Sequence, residues 1–228
     1  MNKPFLAQKL NRTMVLTLNR TSKGNSYDGD TAEALAQFLR KLREAPETEL
    51  LVLRANGKNF CTGADLDWMA RGKTESQSEA ELEMRKIYHM YEAFLRLPVP
   101  VVGLVQGKVR GGGLGLVSVC DQVLALPDSD FALPEKSLGL IPGIIAPLLS
   151  EKIGHDRLAL LENQTPLGAA EAQRIGLVSG IVNEFPQIPR LLCPAKRGRD
   201  LSALLLEMET MLVLSAEKRR GFRTRERP

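Results

Sequence analysis

The sequence predicts an α/β fold, and three observations carry that reading. Thr13–Asn19 alternates, with Met14, Leu16 and Leu18 on one face, as a strand does. A helical stripe at Leu35, Phe38, Leu39 and Leu42 follows, with Asp30 as its predicted N-cap, and leads into the short apolar run Leu50–Leu53. The same alternation then recurs. Val99–Leu104 reads as a buried strand, Leu114–Cys120 as a small, apolar helix, and Gln122–Leu126 as a second strand. Strand, helix, strand is the signature of right-handed crossover units.

The remaining elements fall between and beyond these. Lys73–Ala80 is polar and reads as a mobile connection. Glu81–Leu97 reads as a long helix with Met84, Ile87, Tyr91, Phe94 and Leu95 inward, and Pro98 marks its end. Ile144–Lys152, Asp156–Asn163 and Leu167–Ile175 read as short helices and Leu177–Val182 as a strand. After Asn183 the prolines Pro186, Pro189 and Pro194 punctuate a linker. An amphipathic helix then spans Asp200–Ser215, with Leu201, Leu204, Leu205, Met208 and Leu212 on one side. The chain therefore divides into a core, residues 1–183, and a short helical C-terminal region, residues 184–228.

Composition bounds the function. A chain of 228 residues with 43% hydrophobic and 25% charged residues has the composition of a soluble globular protein with one good core. No run reaches the roughly 18 apolar residues a membrane span needs, and the N-terminus lacks a signal-peptide core. Cys61, Cys120 and Cys193 are odd in number and widely spaced, so a reduced, cytoplasmic setting is expected. Two isolated histidines, His89 and His155, do not make a zinc site, and no metal is expected. The formal charge is +4. Lys218, Arg219, Arg220, Arg223, Arg225 and Arg227 form a basic end, with Lys196, Arg197 and Arg199 upstream. These read first as a solvated face and second as an attractor for a polyanionic ligand. Aromatic residues are only 5% and none interleave with these charges, which argues against nucleic acid.

Two glycine corners carry the chemistry. Gly111–Gly113 stands between a strand and a helix, where glycines let backbone N–H groups approach a ligand. A dinucleotide fingerprint would need glycine where Leu116 stands, and no phosphate loop of the G-x-x-x-x-G-K type is present. What remains is a glycine corner, apolar walls and one downstream carboxylate, Glu135. That set suits carbonyl polarisation with proton transfer. Gly63 and Ala64 form the second corner, before a helix that starts at Asp65 and carries Trp68 and Met69 on its apolar face.

With both corners and Glu135 in order, Val15 to Val182 resembles the crotonase (enoyl-CoA hydratase/isomerase) superfamily. The resemblance rests on LNRTSKGNS, KNFCTGADL, VVGLVQGKVRGGGLGL, CDQVLAL, FALPEKSLGLIPG and AAEAQRIGLV. It implies a spiral of ββα units with an α-helical C-terminal region, assembled as a homotrimer or dimer of trimers. It also implies that the Ala64 and Gly112 N–H groups hold a thioester oxygen and that Glu135 is the acid/base. The substrate would be an acyl-CoA or acyl-carrier-protein thioester, with CoA or phosphopantetheine as part of the substrate and no other cofactor. Lys23, Cys61, Gly63, Asp65, Leu66, Trp68, Gly111, Pro134 and Leu138 would line its pocket.

Departures sharpen the expectation. Hydratases of the family carry a further glutamate at the position held here by Gly115. Subgroups that share its absence act on branched glutaconyl-CoA or on an HMG group borne by acyl carrier protein in polyketide β-branching. Lys108 and Arg110 are then candidates to clamp a remote carboxylate or the carrier phosphate. Hydration or dehydration is the first expectation. Double-bond isomerisation, or a non-catalytic thioester-binding subunit, is the alternative. The C-terminal region is short for the family, which bears on trimer packing and the pocket lid.

Overall fold

The computed structural model describes residues 3–162, 165–188, 195–196 and 198–220. A hairpin opens the chain. β1 (Phe5–Leu10) pairs antiparallel with β2 (Thr13–Leu18) across a turn in which Asn11 takes φ 54°. Asparagine tolerates that left-handed conformation better than most residues, which suits it to a two-residue hairpin turn. β1 escapes the alternation rule because it is an edge strand with little of its surface buried.

Helix α1 (Gly29–Arg43) begins two residues earlier than expected. Its N-cap is Asp28, whose carboxylate accepts from the Thr31 N–H at 2.9 Å, while Asp30 lies in the first turn. Asp28→Ala should therefore cost about 1 kcal/mol in unfolding free energy, and Asp30→Ala only a few tenths. A larger effect at Asp30 in urea titrations would reverse the assignment.

β3 (Leu50–Ala55) pairs parallel with β2. α2 (Leu66–Arg71) follows, capped by Asp65, and a 3₁₀ turn over Gly72–Thr74 leads to α3 (Gln77–Leu95). The segment expected to be a mobile connection is thus largely ordered. Ser76 and Glu79 form a capping box, in which the Ser76 N–H donates to Glu79 Oε2 at 2.7 Å, and this starts α3 well before Glu81.

β4 (Val101–Val105), β5 (Lys108–Arg110), α4 (Gly112–Val119), β6 (Gln122–Ala125) and β7 (Asp130–Ala132) then build the centre. Pro134–Leu138 forms a 3₁₀ turn, followed by α5 (Ile145–Ile153), a further 3₁₀ turn over His155–Arg157 and α6 (Leu158–Leu161). The segment expected as one helix from Leu167 divides into β8 (Leu167–Gly168) and α7 (Ala169–Arg174), before β9 (Gly180–Ile181). The strands form a six-stranded sheet in the order β1-β2-β3-β4-β6-β9 and a three-stranded sheet in the order β5-β7-β8. From β2 onward the larger sheet is parallel, and β4 is buried on both faces, as parallel crossover sheets require.

α8 (Leu201–Arg220) packs along α3 and runs a turn beyond its expected end at Ser215. Leu204, Leu205, Met208 and Leu212 are buried there, so the apolar stripe covers the body of its own chain. The basic residues are not simply a solvated face. Arg199 retains 2% side-chain exposure and donates to the Ser118 and Val119 carbonyls at the C-terminus of α4, where a cation complements the helix dipole. Lys196 pairs with Asp121 at 3.2 Å, and Arg219 is fully buried. Pro189, Cys193, Pro194, Arg197, Arg223, Arg225 and Arg227 lie outside the described residues. No helix among the described residues is long and apolar enough to cross a membrane.

Candidate active site

The two corners meet because the smaller sheet and a short bridge bring them together. Cys61 forms a parallel bridge with Val109 on β5, and the Arg110 N–H donates to the Cys61 carbonyl at 3.0 Å. Gly63, at φ 90°, then lies against the second corner. A side-chain carbon there would stand 2.8 Å from the Arg110 carbonyl oxygen and 3.3 Å from the Gly112 nitrogen. A methyl group at 113 would overlap the Cys61 carbonyl. Glycine at these places is required by the close approach of backbone to backbone.

Ala64 pairs with Tyr27 through a parallel bridge built from Tyr27 N–H to Gly63 O at 3.0 Å and Asp65 N–H to Tyr27 O at 2.8 Å. Both bonds use the neighbours of Ala64, so its own N–H faces away from Tyr27. Gly112 is the first residue of α4, where N–H groups have no partner within the helix. Neither amide enters a turn, loop or cap hydrogen bond among the described residues.

Glu135 reaches the same place through β7. Arg110 is in register with Ala132, and the Gly111 N–H donates to the Ala132 carbonyl at 3.2 Å. The turn that follows lays the Glu135 carboxylate against Gly111, where any side chain would overlap Oε1. Oε2 is buried and has no hydrogen-bond partner among the described residues. Burial pushes the carboxyl up to about 7, with the charge of Glu162 adding to the shift and a backbone hydrogen bond opposing it. A carboxyl titrating near neutrality can both take and return a proton.

Ala64, Gly112 and Glu135 line one cavity of about 90 Å³. Its walls are apolar and come from α2, α3 and the Leu140–Ile145 segment, notably Trp68, Met84, Ile87 and Ile141. Ser215 and Lys218 of α8 complete it. The C-terminal region thus contributes to this cavity as well as covering the core. On the other side of Ala64 runs a more polar groove lined by Lys23, Asp65, Leu66, Arg110, Pro134 and Leu138.

The sequence-predicted residues other than Lys108 therefore separate into three groups. Glu135, Ala64, Gly112 and Trp68 meet at the cavity, and the groove collects the six residues just named. Cys61, Gly63 and Gly111 shape the corner without lining either space. Cys61 is fully buried, burial pushes its thiol up to about 12, and it meets the second corner through its carbonyl, which accepts from the Arg110 N–H. Lys108 is exposed on β5 and lines neither the cavity nor the groove. Arg110 forms an ion pair with Asp130 and donates to the Asp130 carbonyl at 2.9 Å. Asp65 has a structural task too: it caps α2 and pairs with Arg20 at 2.9 Å.

Sequence reasoning missed Tyr27 as a member of the site and assigned Tyr91 to the core. Their hydroxyls lie 2.6 Å apart, and the Tyr91 O–H donates to the Gly112 carbonyl at 2.7 Å. Nothing in the spacing of Tyr27 announces this, because it precedes α1 in an irregular segment. Ser215 and Lys218 were missed for a similar reason: the stripe of α8 reports what it buries and not the cavity beside it.

The α/β fold, with the Ala64 and Gly112 corners and the buried carboxylate of Glu135 lining one cavity, agrees with the arrangement expected from the crotonase resemblance. Residues 9–190 match the family model for enoyl-CoA hydratase/isomerase, and the chain belongs to that family. It is 31% identical over 191 residues to the enoyl-CoA isomerase/hydratase fer4 of Mycosarcoma maydis, covering 78% of this chain and 68% of the relative. It is 29% identical over 190 residues to crotonyl-CoA hydratase of Syntrophomonas wolfei, covering 82% and 72%. A crystal structure of an enoyl-CoA hydratase/isomerase (crotonase) from Legionella pneumophila superposes with a TM-score of 0.75 at 30% identity, over 78% of this chain and 70% of that one.

Proposed function

We propose that this enzyme adds water to, or removes it from, an α,β-enoyl thioester. The observation that carries this reading is Oε2 of Glu135, buried and without a hydrogen-bond partner among the described residues, in one cavity with Ala64 and Gly112. In the hydration direction the Glu135 carboxylate takes a proton from water as the water oxygen bonds to Cβ. The π electrons move to the thioester oxygen, and the resulting enolate is held by the two N–H groups. The Glu135 carboxyl then delivers the proton to Cα, which restores the carboxylate. The amides are fixed before charge develops, and each such donor contributes about 3 kcal/mol to transition-state stabilisation.

The carrier, CoA or a phosphopantetheine arm, lies in the groove past Lys23 and Leu66, and no other cofactor takes part. The apolar cavity walls favour a hydrocarbon acyl chain. A branched glutaconyl or HMG-type acyl group has less support, since Arg110 is tied to Asp130 and Lys108 lies away from the cavity. Double-bond isomerisation is the second reading, favoured by Glu135 being the one carboxylate among the described cavity residues. The protein works as a trimer or dimer of trimers; exposed Leu206, Val213 and Leu214 on α8 supply apolar surface for contacts between copies.

The test is turnover in H₂¹⁸O of crotonyl, 3-enoyl and 3-methylglutaconyl thioesters, each on CoA and on carrier protein. Label incorporated into the crotonyl product is the expected result. Double-bond migration without label would establish the isomerase. A chain that turns over none of the thioesters would end both readings.

A further inference from the structure

We propose that Tyr27 is a second catalytic group in this cavity, its hydroxyl holding the water that Glu135 deprotonates, and that Tyr91 positions it. This rests on the hydration reading above. The argument begins at Gly115, where nothing but hydrogen fits. A side-chain carbon there would overlap the Tyr91 hydroxyl and stand 2.6 Å from Tyr91 Cζ and 2.8 Å from Ile145 Cγ2. No carboxylate can enter the cavity from position 115 while Tyr91 keeps its place. The room is filled by a phenol delivered from α3.

The hydrogen-bond directions follow from counting protons. A phenol has one O–H. Tyr91 gives its proton to the Gly112 carbonyl at 2.7 Å, so at the 2.6 Å contact with Tyr27 its oxygen is the acceptor. Tyr27 therefore donates to Tyr91 and has only lone pairs left to offer. Tyr27 lines the cavity and Tyr91 does not. Any side chain at Gly112 would overlap the Tyr27 hydroxyl, just as one at Gly111 would overlap Glu135. The two oxygens thus flank consecutive glycines of one corner.

A water molecule has two protons to give. One goes to the Glu135 carboxylate and the other is held by Tyr27 Oη, which leaves a water lone pair for Cβ. The transferred proton ends on Glu135, and Tyr27 keeps its own throughout. Burial, and after it neighbouring groups including the Glu135 charge, holds both phenols well above their ordinary range, which suits a neutral, orienting role.

The experiment compares wild type, Tyr27→Phe, Tyr91→Phe and Glu135→Gln in two assays: hydration of crotonyl-CoA and isomerisation of a 3-enoyl-CoA. Isomerisation needs Glu135 but no water. For Tyr27→Phe the ratio of hydration to isomerisation should fall about 10- to 100-fold, the consequence of losing one hydrogen bond to a reacting group. Tyr91→Phe should lower the same ratio by a smaller factor, because Tyr27 keeps its oxygen but loses the acceptor that orients it. This second variant decides the matter if Tyr27→Phe does not fold. An unchanged ratio in a folded variant, including an equal loss of both reactions, would reduce the pair to a strut beneath Gly112 and overturn the proposal. Hydration abolished by Glu135→Gln yet untouched by Tyr27→Phe would overturn the Tyr27 assignment alone. A wild type that adds no water to any thioester would overturn both this and the function it rests on.

Discussion

Glu135→Gln lowers turnover of the enoyl thioester by about 10²- to 10⁴-fold, the usual contribution of a general acid–base group. The amide preserves shape and cannot accept a proton, so binding of the thioester should change far less than kcat. The pH dependence provides the second signature. Because the carboxyl of Glu135 lies near 7, the hydration rate of wild type should rise with pH through neutrality, and the residual rate of the variant should not. Stability should move the opposite way. Burial raises the native pKa above the ordinary 4.5, so the native state binds the proton more tightly than the unfolded chain. Wild-type stability is then undiminished below about pH 4.5 and falls by up to about 3 kcal/mol as pH climbs past 7. Glu135→Gln should match wild type in acid and exceed it in mild alkali. Urea titrations at pH 5 and pH 8 read this directly. A constant difference between the two proteins at both values would show that the carboxylate is not held in an unfavourable place.

Arg219→Ala should destabilise the fold by about 3 kcal/mol, near the lower end for breaking a buried ion pair because Glu75 keeps 18% exposure and can regain water. The arginine side chain is completely buried. Its guanidinium grips both carboxylate oxygens of Glu75, donates to the Trp68 carbonyl at 3.0 Å, and stacks 4.1 Å from the Trp68 ring centre. Arg219 thereby fastens the end of α8 to the segment carrying Trp68, which is a wall of the cavity that holds Glu135. The variant should accordingly raise KM for the acyl thioester as well as lower the unfolding midpoint. Pairing Arg219→Met with Glu75→Leu should recover much of the lost stability, since both the unpaired charge and the hole are removed. If the double variant were no more stable than Arg219→Ala, the stacking on Trp68 and not the ion pair would be the main contribution.

Local pattern made much of this molecule legible. The parallel strands announced themselves as short β-branched runs, and the order of strand and helix fixed the crossover topology. The glycine corners and Glu135 were visible because backbone close approach restricts residue type at particular positions. Errors of extent came from caps. Asp28 and Ser76 begin helices that the apolar stripes place elsewhere, since a cap is a single hydrogen bond and carries no periodicity.

Groups that meet across long separations were not legible. Arg219 looked like one more charge in a basic end, yet it is buried against Trp68 and Glu75, far away in the chain. Arg110 looked like a free cation for a substrate carboxylate until β5 and β7 placed it beside Asp130. Tyr27 and Tyr91 come from an irregular segment and a helix, and only packing brings their hydroxyls together below Gly112. By itself, then, the sequence determined the α/β class, the two glycine corners and the one carboxylate that meets them, because these depend on local backbone conformation and on residue types confined to short stretches. The tertiary structure alone decided which charges are buried, which residues face the cavity or the groove, and what fills the space beside Gly115. Those are properties of surfaces brought together by folding, and no short stretch of chain contains them.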